Sequence, residues 1–525
     1  MYFIKMKLRK SIIAGVFVST LVTMLVSFTA QTTSGRKAKV DDKGKMLFKT
    51  YCASCHVLPD PGSLTKEIWK MHVLPVMASR MGIIYPNYDP LKGLSDEERL
   101  IVKNNHIIPD APFLNDGDWN ELVNYIINHA PDTVAFDAKR LTRNVPLTQF
   151  KREDVQIYAS GMSMITGIKF NPATQIFWIG SFNNEVMSWR YDVGVTKQLT
   201  AKSPVVDFNF YGKNTYFTEI GKLYPTELSL GSYVQYADTT STPLLTNLHR
   251  PVHSSIEDLN NDGVPEIVVC NFGNKTGSLS LFKKNQSGHY IEEVLLPVAG
   301  AIKCEIKDMD GDGKKDIVAL FAQGDESVYI FYNQGNLKFK GKRVLRFPPN
   351  YGTTDMVLVD YDHDGLVDIV SVHGDNADYS NILKPYHGIR LNINSGKGEF
   401  KEQFFYPIYG VTKVLAYDFD KDGDIDFVAS SFFPDFGKLI DESFVYLENT
   451  DQAKFKFKSS ILKSEVPLRT LTLEMADVDN DGDMDVIGGN FALGLGHPPE
   501  ELESKWKSSK YGLNIFINQL YQPKK

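Results

Sequence analysis

A nine-residue acidic motif occurs five times in this 525-residue chain and constrains the fold more than any other feature. The copies occupy 258–266, 308–316, 360–368, 418–426 and 477–485. They share the consensus D-x-[DN]-x-D-G-x-x-[DE], with first-Asp spacings of 50, 52, 58 and 59 residues. Such regularity marks a repeated supersecondary unit. Oxygens at positions 1, 3, 5 and 9 can wrap a hard cation, Gly at position 6 makes the bend, and a backbone carbonyl at position 7 completes a calcium shell. The candidate calcium ligands are therefore Asp258, Asn260, Asp262 and Glu266; Asp308, Asp310, Asp312 and Asp316; Asp360, Asp362, Asp364 and Asp368; Asp418, Asp420, Asp422 and Asp426; and Asp477, Asp479, Asp481 and Asp485. An EF-hand would need Glu at position 12, where this chain has Val269, Ala319, Ser371, Ala429 and Gly488. The residues after each motif are β-branched instead (EIVVC, DIVAL, DIVSV, DFVAS, DVIGG), so each loop joins two strands of a hairpin.

Four short strands in about 50 residues make one propeller blade. The segment 155–250 carries no acidic motif but shows strand signals at 167–170, 176–180, 186–191, 205–210 and 216–220, enough for two further blades. Two and five give seven, with six and eight as alternatives. These loops resemble the FG-GAP/VCBS repeats of integrin-type propellers, over residues 155–525. That resemblance implies structural calcium, with the FG-GAP tripeptide eroded to forms such as Asn271-Phe272-Gly273. The first loop departs from the others at Asn260 and Glu266 and is expected to bind most weakly.

A different chemistry opens the chain. Cys52-Ala53-Ser54-Cys55-His56 is a C-x-x-C-H pentapeptide, in which two thiols add to the haem vinyl groups and the next His reaches the iron. A thioredoxin-like pair would want a preceding strand, and a zinc site a second ligand pair. Here an amphipathic helix, 44–51 (GKMLFKTY), runs into the motif and no second C-x-x-C follows. Residues 40–135 resemble a small monohaem cytochrome c domain, through the 44–51 helix, the pentapeptide, Leu58-Pro59 and a terminal helix at 118–130 (DWNELVNYIINHA). The family implies a Met as second axial ligand. Met77, two residues after Pro75, is favoured and Met81 is the alternative; Met71 and His72 lie in the same stretch. Iron with both axial positions filled favours electron transfer over oxygen chemistry.

The fold class expected is thus multidomain: a small all-α cytochrome c domain (40–135), a linker (136–154) and an all-β propeller (155–525). Residues 1–35 read as a signal peptide or N-terminal membrane anchor, because Lys5, Lys7, Arg9 and Lys10 precede the uncharged stretch 11–30. The remainder is expected outside the cytoplasm, periplasmic or at the cell surface. Formal net charge is −7, and removing residues 1–30 takes away four cations and brings it to −11. Five calcium ions would offset nearly all of that surplus. A nucleic-acid partner, which needs basic excess, is excluded on charge.

Five residues before each first Asp stand His253, Lys303, Asp355, Lys413 and Thr472, a candidate ring at one end of the central channel, with Lys413 and Arg469 placed to meet an anion. Loops carrying His373, Asp375, Asp378, Asn490 and His497 are candidates for the same face. Cys270 and Cys304 are either a disulfide between blades or two buried thiols. The function expected is electron transfer to or from a redox protein or respiratory component, with the propeller as scaffold or docking surface. The alternatives are a dehydrogenase-like propeller feeding electrons to the haem, and an adhesion module binding a glycan or small molecule. No Ser-His-Asp order, H-E-x-x-H or phosphate loop supplies a catalytic set.

Overall fold

Seven blades of four antiparallel strands each close into a seven-bladed β-propeller; six are built from consecutive strands, the seventh takes three strands and one from the N-terminal side, and blade six gains a fifth, parallel edge strand. The computed structural model describes residues 42–158, 162–377 and 382–521. The N-terminal signal or anchor segment and Asp378 lie outside these residues. No helix among the described residues is long and apolar enough to cross a membrane.

Blades one and two, without acidic loops, begin at Ile165–Asn171 and Val205–Tyr211; their second strands are Ile176–Ser181 and Asn214–Glu219. Blades three to seven begin at Pro251–Glu257, Ala301–Lys307, Thr353–Val359, Val411–Tyr417 and Thr470–Ala476. These first strands form the inner ring. The second strands of blades three to six (Glu266–Asn271, Asp316–Phe321, Asp368–His373, Asp426–Ser431) are buried at every residue. A strand packed on both faces must read as a continuous apolar run, which explains EIVVC and its relatives. Outer strands such as Tyr290–Leu296 are mostly exposed, as the rim of a wheel must be.

Phe150–Gln156 belongs to the wheel and corrects the expected linker at 136–154. It pairs antiparallel with Tyr511–Asn518 as the outer strand of blade seven, from Phe150 opposite Asn518 to Gln156 opposite Tyr511. The N-terminal side of the propeller thereby locks its C-terminal blade, and Val145–Pro146 adds a parallel edge to Lys456–Ile461 of blade six. The preceding residues are also held: buried Glu442 accepts from Arg140 Nη2 (2.8 Å), Arg143 Nη2 (2.7 Å) and Asn144 Nδ2 (3.0 Å). Arg140 lies 3.6 Å above the Tyr409 ring.

The separate all-α cytochrome domain expected over 40–135 is a short helical region docked on the propeller. Helix 42–47 runs into Phe48–Cys52. A second run comprises Lys66–Ile68, Trp69–Val73 and Leu74–Arg80, and Asp96–Asn104 and Asp116–His129 follow. A Ser95/Glu98 capping box starts the Asp96–Asn104 helix. Phe48, Trp69, Leu74, Trp119, Leu122 and Ile126 form its apolar centre. Polar anchors reach the propeller: Glu98 Oε1 accepts from Thr226 Oγ1 (2.6 Å) and Glu227 N (3.0 Å), Asn350 Nδ2 donates to Ser63 Oγ (3.0 Å), and Tyr386 Oη to Ser63 O (3.2 Å). These anchors sit on connections between second and third strands or between blades. The acidic loops join first and second strands, so antiparallel pairing puts them on the opposite face.

Candidate functional site

Each acidic loop is built by its own carboxylates. The first Asp takes the N–H of the bend glycine in all five: Gly263, Gly313, Gly365, Gly423 and Gly482 donate to Asp258, Asp308, Asp360, Asp418 and Asp477 at 2.8–3.1 Å. The ninth residue is a clamp. One oxygen of Glu266, Asp316, Asp368, Asp426 and Asp485 accepts from the N–H of the second loop residue (Leu259, Met309, Tyr361, Phe419, Val478). In the four Asp loops the other oxygen accepts from the N–H of an asparagine on the third strand: Asn333, Asn394, Asn449 or Asn518, at 2.7–2.8 Å. Each Asn side chain then donates to a carbonyl just before the clamp acid, at Lys315, Val367, Ile425 or Met484.

Four loops bring the acids of positions 1, 3 and 9 together, with one oxygen from each within 4.8 Å of the others: Asp308/Asp310/Asp316, Asp360/Asp362/Asp368, Asp418/Asp420/Asp426 and Asp477/Asp479/Asp485. The position 5 acids stand apart from these groups. Asp364, Asp422 and Asp481 accept from the N–H of position 7, while Asp312 also pairs with Lys314. In the first loop, Asn260 Nδ2 donates to Asp262 Oδ2 (2.8 Å) and replaces the charge of the third carboxylate. Burial first, then neighbouring acids, pushes the clamp acids up: Asp316 and Asp368 to about 6, and Glu266, Asp426 and Asp485 to about 7. Asp360 Oδ1, Asp424 Oδ1, Asp481 Oδ2 and Asp483 Oδ1 are shut from solvent with no donor. Crowded carboxylates with orphaned buried oxygens are a donor set that fits a hard divalent cation.

On the opposite face, Cys52 ends the first helical run half-buried, and Cys55 is exposed. Burial and then Cys55 push the Cys52 thiol up to about 12. His56 Nδ1 lies 2.9 Å from Val57 O, a bond that protonates Nδ1 and leaves the Nε2 lone pair free. Met81 is buried in the same apolar cluster that Cys52 packs against. Met77 is half-buried on Leu74–Arg80, while Met71 and His72 are exposed. Met71, Ile84 and Phe113 are exposed on adjoining segments, since Tyr85 Oη donates to Lys70 O and Phe113 N to Met81 O. Two thiols and an imidazole whose Nε2 is left as the acceptor, at the edge of an apolar cluster, are a donor set that fits a flat apolar group with a metal at its centre.

The channel ring assembles and extends. All seven inner strands carry a bulge at the same place, at Gly167, Asp207, His253, Lys303, Asp355, Lys413 and Thr472. The charges of this layer are spent on one another. Lys303 Nζ is 3.0 Å from Asp355 Oδ1 and 3.3 Å from Glu305, and Lys413 Nζ is 3.7 Å from Asp355 Oδ2. Burial opposes the charge on Lys303, but Asp355 and Glu305 outweigh it and raise its pKa; burial likewise loses to Lys303 and Lys413 at Asp355, whose pKa falls. Arg469 corrects the anion expectation: it is fully buried, donates to Phe432 O and Leu495 O, and stacks on Phe432 and Trp506. His373 is buried between Thr353 Oγ1 (2.8 Å) and Ser371 Oγ (3.0 Å), whereas His497 is exposed. Asp375 accepts from Ala377 N, and Asn490 donates to Tyr511 O.

The clamp asparagines went unread in the sequence because they follow the acid by 17, 26, 23 and 33 residues, a spacing that varies with each loop. The signal is an Asn at or near the end of the third strand in the four blades whose loops end in Asp.

Residues 258–319 and 308–371 match the model of the FG-GAP-like repeat. No curated protein matches the chain. Among solved structures it is similar to the WD40 domain of Neurospora crassa Pan2 (13% identity, 72% of this chain and 98% of that chain, TM-score 0.43). It is also similar to Saccharomyces cerevisiae Sqt1 (10% identity, 70% and 98%, TM-score 0.41).

Proposed function

We propose that this protein is an exported monohaem c-type cytochrome that exchanges electrons with a redox protein, on a propeller whose acidic loops hold calcium. The observation that carries the reading is the pentapeptide Cys52–His56 together with the bond from His56 Nδ1 to Val57 O. A ligating histidine almost always spends its other ring nitrogen on such a partner, which fixes the tautomer and raises its basicity. Cys52 and Cys55 would hold the porphyrin covalently, and His56 Nε2 would bind its iron. Met77 or Met81 would be the second iron ligand, and the cluster that Met81 shares with Cys52 favours Met81. When bound, the haem supplies one-electron transfer. The chain's own residues keep water from the site through Phe48, Leu64 and Trp69, and tie the helical region to the propeller through Ser63 and Glu98.

The orphaned buried oxygens of the acidic loops support calcium as brace rather than as reagent, since the loops sit on the face away from Cys52. The self-neutralised channel ring favours a scaffold over a charged-substrate site. The test follows the visible spectrum of the oxidised full-length protein. Rapid reduction by a reduced small cytochrome, with no change on adding sugars or alcohols, is the result expected. Reduction by a sugar or alcohol alone would make the propeller an enzyme and overturn the carrier reading.

A further inference from the structure

One polar cluster lies apart from both the acidic loops and the haem motif. His253 of the channel ring opposes Cys270 across the blade-three sheet register. Cys304, on the inner strand of blade four, faces the same point: one ligand atom each from His253, Cys270 and Cys304 lies within 4.8 Å of the other two. Both sulfurs are fully buried among Val268, Leu279, Ala301 and Phe321, and neither is in a disulfide. An apolar contact between blades needs no imidazole, yet His253 Nδ1 points here, accepting from Cys304 N (3.4 Å) and lying 3.6 Å from Cys304 Sγ. The lone pair of Nδ1 is therefore on the side of the sulfurs.

We infer that His253, Cys270 and Cys304 form a binding site for a thiophilic d10 cation, Zn2+ or Cu+, set between blades three and four. Bond lengths of about 2.3 Å to sulfur and about 2.0 Å to nitrogen give a tetrahedral S-to-N edge of about 3.5 Å. The distance of 3.6 Å in the ion-free arrangement is already that edge. Two thiolates and a neutral imidazole around Zn2+ sum to zero charge, which suits a site walled by aliphatic side chains. The ring side of His253 is partly open, so the cation enters from the channel. Asp207, with its Oδ2 4.0 Å from His253 Nδ1 and accepting from Ser254 N (2.9 Å), stands at the entrance as the candidate fourth ligand. Soft sulfur ligands set this site apart from the all-oxygen loops, so calcium and the thiophilic cation do not compete.

The test uses the full chain with Cys52 and Cys55 replaced by serine, so that the haem motif contributes no thiol, and with calcium in excess. Zinc titration is expected to show one tight equivalent, and cobalt substitution to give a thiolate-to-metal charge-transfer band. Titration with Cu+ separates the two cations. Cys304→Ser should abolish both signals, and His253→Ala, which leaves the thiols packed, should weaken binding while far-UV dichroism stays unchanged. Asp207→Asn should weaken it, because the amide is a poorer ligand than the carboxylate. Two results would overturn the site: no uptake with both thiols reduced and titratable, or a purified chain lighter by two hydrogens because Cys270 and Cys304 are joined.

Discussion

Replacing Asp485 by Asn tests whether the ninth loop residue is a clamp as well as a cation ligand. Asp485 is fully buried and accepts from Val478 N (2.8 Å) with one oxygen and from Asn518 N (2.8 Å) with the other. The amide keeps one acceptor and turns an NH2 towards the second N–H, leaving a buried donor without a partner. An unsatisfied buried donor costs about 1–3 kcal/mol, and exchanging a charged acceptor for a neutral one in the remaining bond costs about 1 more, so about 2–4 kcal/mol is expected. Asn518 lies opposite Phe150 in the closing pair, so the loss acts where the wheel is sealed. Glu266→Gln is the control. Among the described residues no third-strand asparagine reaches Glu266, and its bond from Leu259 N (2.9 Å) survives on the amide oxygen, so it should cost under about 1 kcal/mol. Urea unfolding of both variants in chelator, at a pH well above the value of about 7 to which burial pushes Asp485, separates the clamp from cation binding. Equal shifts, or no shift for Asp485→Asn, would refute the clamp.

Chelation itself should lower the unfolding temperature, since each site at 100 times its Kd contributes about 2.7 kcal/mol. Isothermal titration should find four acidic loops binding more tightly than the one with Asn260. Glu442→Ala strands Arg140 and Arg143 at a buried position and should cost about 3–5 kcal/mol by thermal unfolding; a surface-like loss below 1 kcal/mol would contradict the buried triad. Four donors from Ser95, Thr226 and Glu227 overcome burial and hold Glu98 down to about 2. Its folded pKa lies below its unfolded value of 4.5, so its contribution is full above 4.5 and is lost as pH falls from there towards 2. Limited proteolysis should therefore release the helical region across that window. In Glu98→Gln, release should occur already at neutral pH.

The propeller was legible because its constraint is local and repeated. A loop of acids around a bend glycine, followed by a strand buried on both faces, must look alike in each of the five blades that carry it. Blades one and two are readable from their first and second strands and, in blade one, the third. Their outer strands, Gly194–Thr200 and Thr240–Leu248, are largely exposed and carry no apolar run to betray them. Phe150–Gln156 (FKREDVQ) reads as charged linker because one face of an outermost strand meets water, and its partner lies some 360 residues away. The position 5 acids illustrate a different gap: spacing brings them to the loop, but the N–H of position 7 competes for the same carboxylate. Arg469 looked available to an anion because sequence shows its charge and hides the two carbonyls and the aromatic rings that enclose it.

Intact-mass analysis of the protein secreted by a host able to attach haem tests the central claim most directly. The account predicts a red protein heavier than its amino acids by one iron porphyrin, with the added mass lost in Cys52→Ser/Cys55→Ser. A colourless chain with the mass of its amino acids alone would contradict it and leave a calcium-loop propeller without a redox role.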